Sequence, residues 1–91
     1  MSGVSPVVAR LLRAIFHQPI IEPDSESGII RLAALAGQDI APADWHAAVA
    51  DAVRSGLVHD PVRLPPGALQ CHWHLELTAL GVQAVREGEA G

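Results

Sequence analysis

Lysine and tyrosine do not occur in this 91-residue chain, cysteine occurs once, and no long apolar run is present. All six basic residues are therefore arginine, and ten carboxylates outweigh them to leave a formal net charge of −4. An excess of acid argues against a free-standing DNA binder, because phosphate neutralisation supplies most of the sequence-independent affinity and leaves a basic footprint. The objection weakens if the acidic residues lie away from the binding face, and several are clustered: Glu22, Asp24 and Glu26 in one stretch, Glu87 and Glu89 near the C-terminus. Cys71 stands alone, which excludes an internal disulfide and a thiolate-rich zinc site within one chain. Arg10, Arg13, Arg31 and Arg54 interrupt every candidate for the roughly 18 apolar residues that a membrane helix needs, so no membrane partner is expected. The stretch from Met1 to Pro6 lacks the basic region and apolar run of a secretory signal, and the expected location is the cytoplasm.

What is present is aliphatic. Apolar residues make up 49% of the chain, yet Phe16, Trp45 and Trp73 are the only aromatics. A core of Leu, Val, Ile and Ala follows, which suits a small helical domain. The length supports one core, so residues 1–91 read as one domain with an ordered body over about 5–87.

From Ser5 to His17 the apolar residues Val8, Leu11, Leu12 and Ile15 recur at helical spacing, and Ser5-Pro6 forms a cap and first-turn pair. Ile20 and Ile21, bracketed by Pro19 and Pro23, suit a brief strand or extended connector, and the acidic stretch up to Ser27 reads as a loop. A second helix is predicted from about Ser27 to Ala36, stopped by Gly37. A third runs from Pro42 to Ser55 with Trp45, Val49, Ala52 and Val53 buried and Gly56 as its stop. The connection through Gly37, Gln38 and Asp39, with Ile40 as a plug, outlines a helix-turn-helix. Residues 69 to 77 then alternate, with Leu69, Cys71, Trp73, Leu75 and Leu77 on one face and Gln70, His72, His74 and Glu76 on the other. This strand is expected to pair with the run Leu57 to Leu64 across Pro65, Pro66 and Gly67 as an antiparallel hairpin. Thr78 caps a last helix that turns Leu80, Ala84 and Val85 inward and ends near Gly88.

Two local motifs carry a resemblance: the stop and strand start Ser55-Gly56-Leu57-Val58, and the closing run Leu75-Glu76-Leu77-Thr78-Ala79-Leu80-Gly81. With the element order, they resemble the winged helix-turn-helix domains of prokaryotic MarR- and PadR-type regulators over roughly residues 5 to 87. The resemblance implies an α+β, mainly α fold of three helices, a β-hairpin wing and a C-terminal helix. It also implies a DNA-associated transcriptional regulator that works as a dimer, although winged helices serve as protein-docking modules too. In such a fold the third helix lies in the major groove, with Arg31, Arg54 and Arg63 as phosphate contacts and Ala47, Ala48 and Asp51 facing the groove. That surface is Ala-rich and carries Asp44 and Asp51, which oppose phosphate. The alternative is a partner protein met on the same acidic, Ala-rich face, with Arg54 or Trp45 as an anchor. Both partners remain open.

His72 and His74 share a strand face, and His59 on the paired strand is placed to complete a set of three imidazoles that suits a metal. The competing reading makes all three solvated residues on the outer face of the hairpin, with pH sensing as a further option. Cys71 reads as a small core residue beside Trp73. No nucleophile elbow or phosphate loop is present, so no enzyme activity and no cofactor are expected.

Overall fold

Ser5 starts the first helix as its spacing predicts. Its hydroxyl accepts the Val8 amide at 3.2 Å, and α1 runs over Pro6–His17 with Val8, Ala9, Leu11, Leu12 and Ile15 buried. The structure is a computed structural model describing residues 5–63, 67 and 72–90, with Arg63, Glu89 and Ala90 described by their backbone. After α1 come β1 (Ile20–Glu22), α2 (Ser25–Ala36), α3 (Pro42–Arg54), β2 (Val62–Arg63), β3 (His72–Leu75) and α4 (Ala79–Ala90). The described residues form an α+β arrangement, mainly helical, with β2 and β3 as an antiparallel hairpin.

The brief extended pair is a strand. Ile20 lies opposite Leu75 and Ile21 opposite His74, so β1 joins a three-stranded antiparallel sheet of order β1-β3-β2. The predicted loop up to Ser27 is overturned: α2 begins at Ser25, because the Asp24 carboxylate accepts the Ser27 amide at 2.7 Å and caps the helix earlier. Backbone and side-chain bonds to Ser27 also lower the Asp24 pKa. The long strand expected before the hairpin is interrupted, since Asp60 Oδ1 accepts the Val62 amide and Pro61 has no amide to give. Pairing survives at Val62 and Arg63, with a separate bridge from Val58 to Leu77. The strand predicted over 69–77 is described as β3 from His72 to Leu75; Leu69, Gln70 and Cys71, with Leu64, Pro65, Pro66 and Ala68, lie outside the described residues.

The core collects Leu11, Leu12 and Ile15 of α1, Ile29 and Leu32 of α2, Trp45, Val49 and Ala52 of α3, and Trp73, Leu75 and Val85. Helix α1 packs on α2, α3 and α4, while the sheet covers α2. The sheet comes close to α2 at Gly28, where a Cβ would stand 2.0 Å and 2.4 Å from ring carbons of Trp73. Alanine is ordinarily the better helix residue by about 1 kcal/mol. Here Gly28→Ala is expected to destabilise the chain by roughly 1–3 kcal/mol through overpacking, read as a lower urea midpoint at unchanged slope.

The two motifs behind the resemblance meet in space. Helix α3 ends in a Schellman arrangement, with the Gly56 amide on Val53 O at 3.0 Å and the Leu57 amide on Ala52 O at 2.9 Å. Gly56 takes φ 73°, the left-handed conformation that this ending requires. Thr78 then joins the two segments: its amide donates to Leu57 O at 3.1 Å, and its hydroxyl donates to Gly56 O at 2.6 Å. The same hydroxyl accepts the Gly81 amide at 3.1 Å and so starts α4. Helix α4 departs from expectation at both ends: Leu80 is 52% exposed while Gly81 takes the inward position, and the helix continues past Gly88 to Ala90.

Candidate binding surface

Helix α3 exposes Ala43, Asp44, His46, Ala47, Ala50, Asp51 and Arg54. Ala48, expected on this outer face, is 3% exposed and belongs to the core. The helical period explains the correction: Trp45, Ala48, Val49 and Ala52 fall at i, i+3, i+4 and i+7, the stripe that meets α1 and α2. Trp45 is fully buried and is thereby removed as an exposed anchor. Its Nε1 donates to Gly37 O at 3.2 Å, which ties α3 to the turn that precedes it.

The cations expected on this surface are in three different situations. Arg54 forms an ion pair with Asp51, three residues earlier on the same helix. The spacing was legible in the sequence, since i,i+3 partners share a helix face. Arg31 is exposed on α2 and has no ion pair among the described residues. Arg63 sits on β2 opposite His72. Asp44, Asp51 and Asp39 line a groove of about 300 Å³ between α3 and the start of α1, with Val7, Ile40, Ala47 and Ala48 as its apolar wall.

Arg10 is the residue that sequence reasoning passed over. Its guanidinium donates to both carboxylate oxygens of Asp39, at 3.0 Å and 2.8 Å, and to Ala36 O at 2.8 Å, while standing 6.0 Å from the centre of the Trp45 ring. One side chain thus holds the last carbonyl of α2, the helix-helix turn and the base of α3. Its partner lies 29 positions away, and no local pattern announces such a pair.

The Arg10 hydrogen bonds pull the Asp39 pKa down to about 2. A carboxyl depressed in the folded state contributes stability above its unfolded pKa, roughly 3.9, and loses it as pH falls through the folded value. Asp39→Asn is therefore expected to lower the melting temperature at pH 7, with the deficit relative to the parent chain shrinking between about pH 4 and pH 2. Thermal melts across that range measure it; a deficit independent of pH would mean that the ion pair contributes nothing.

The three histidines do not assemble. His72 is exposed opposite Arg63 on the hairpin, and the exposed His59 lies beside Glu76, where its amide donates to Glu76 O at 3.1 Å. His74 is half-buried, with Nε2 3.5 Å from the Glu76 carboxylate. Among the described residues no group of three or more His, Cys, Asp or Glu is placed to hold a metal. No helix among them is long and apolar enough to cross a membrane. Comparison with protein-family models, curated proteins and solved structures finds no match to this chain.

Proposed function

We propose that this chain is a non-enzymatic winged-helix binding module that docks onto a partner protein. The order α1-β1-α2-α3-β2-β3-α4, the β1-β3-β2 sheet and the junction of the two motifs at Thr78 support the winged-helix reading. The observation that carries protein docking is the charge of α3. The helix that would enter a major groove exposes Asp44 and Asp51, and its one arginine is paired with Asp51. A face with two carboxylates and one engaged cation repels phosphate at the positions where a base reader must approach it most closely. Its small side chains, Ala43, Ala47 and Ala50, suit close approach of another protein backbone.

A second reading, a DNA-associated regulator acting as a dimer, draws support from the exposed Arg31, which has no ion pair among the described residues and which a dimer would present twice. Fluorescence anisotropy with random-sequence duplex DNA, at low and then moderate salt, separates the two. The expected result is no saturable binding by the folded chain. Binding that weakens steeply with salt, and that Arg31→Glu or Arg54→Glu abolishes without unfolding, would overturn docking in favour of DNA.

A further inference from the structure

We infer that the groove between α1 and α2 is a further contact surface, beside the α3 face, and that it takes an acidic amphipathic segment of the partner. The inference rests on the docking reading and adds this surface and its chemistry. The groove measures about 300 Å³ and is lined by Arg10, Arg13, Ala14, Leu35 and Ala36. Leu35 is 39% exposed there. Arg31 precedes Leu35 by four residues, one helical turn, which places it on the same side of α2. In a chain of net charge −4, two of the six arginines thus line this groove and a third stands one helical turn from Leu35. Arg10 is engaged by Asp39, whereas Arg13 and Arg31 are exposed and have no ion pair among the described residues.

Cations with no ion pair among the described residues, beside the exposed Leu35, complement a segment with apolar residues at helical spacing and carboxylates on either side. The apolar side chains would enter against Leu35 and Ala14, and the carboxylates would meet Arg13 and Arg31. A nucleic acid backbone would satisfy the two arginines but offers Leu35 no apolar surface to bury, so the groove fits a peptide better than a phosphate chain.

The test is an amide NMR titration of the whole chain with a synthetic Leu/Glu amphipathic peptide, beside its Leu/Lys counterpart and random duplex DNA. The acidic peptide is expected to give saturable shifts at Arg13, Ala14, Arg31, Leu35 and Ala36, and the basic peptide none. Arg13→Glu with Arg31→Glu is expected to weaken binding by about tenfold or more, with circular dichroism unchanged. Absence of saturable shifts, or affinity indifferent to charge reversal, overturns the inference. Shifts confined to α3 remove this surface and leave the docking reading standing. Shifts produced at these amides by DNA and not by the acidic peptide overturn both.

Discussion

Trp45→Ala is expected to lose roughly 3–5 kcal/mol of folding stability, the largest effect of any single truncation in this chain. Trp45 is the largest of the fully buried side chains and lies where α1, α2 and α3 meet, so its removal leaves a void lined by aliphatic groups with few ways to collapse. A chain of this size has only about 5–15 kcal/mol in total, and the loss is a large part of it. Trp45→Phe separates packing from polarity. It keeps an aromatic ring and removes the Nε1 donor to Gly37 O, and it is expected to cost less than the alanine variant, with about 1 kcal/mol attributable to the hydrogen bond. Urea unfolding followed by circular dichroism measures both, and Trp73 remains as a fluorescent reporter in each variant. Equal losses in the two variants would mean that the void contributes little beyond the hydrogen bond.

Gly81→Ala comes next, and its sign is the instructive part. Gly81 lies in the first turn of α4, where alanine ordinarily favours a helix. A Cβ at this position would meet Leu57 O at 2.0 Å, and the obstacle is backbone rather than a flexible side chain. The strand entry at Leu57 and the start of α4 must then separate, which strains the bonds from Thr78 to Gly56 O and Leu57 O. We expect a loss of about 3 kcal/mol, the upper end of ordinary overpacking. Gly56→Ala is the comparison: the space there is open, with Leu80 Cδ2 at 3.9 Å, and only the left-handed φ of 73° opposes a side chain. That substitution is expected to lose about 1–2 kcal/mol. Denaturation midpoints that rank Gly56→Ala below Gly81→Ala would show that the close approach at Gly81 is not what limits this junction.

Much of the fold was legible because its signals are local. Ser5-Pro6, Gly56 and Thr78 act on backbone groups within a few residues, and each is used as its residue type suggests. The alternation at Trp73 and Leu75 marks the buried face of β3 correctly for the same reason. The errors concern residues whose burial only their tertiary neighbours decide. Ala48 is as compatible with the outside of a helix as with its core, and only the neighbouring helices decide that it is covered. Leu80 is apolar but starts a helix whose first inward position is taken by Gly81, because Leu57 O leaves room for nothing larger.

The candidate surface divides in the same way. The Arg54–Asp51 pair could have been read from its spacing, whereas Arg10–Asp39 could not, since the turn between α2 and α3 brings together groups that are far apart in the chain. By itself the sequence determined the four helices, the hairpin and the acid-rich, lysine-free charge, because helix caps, turn residues and hydrophobic period act over a few residues. The tertiary structure alone decided which arginines are engaged and which are exposed, and that Arg13 of α1 lines the same groove as Leu35 of α2. Packing angles between helices set those distances, and no short-range property of the chain contains them.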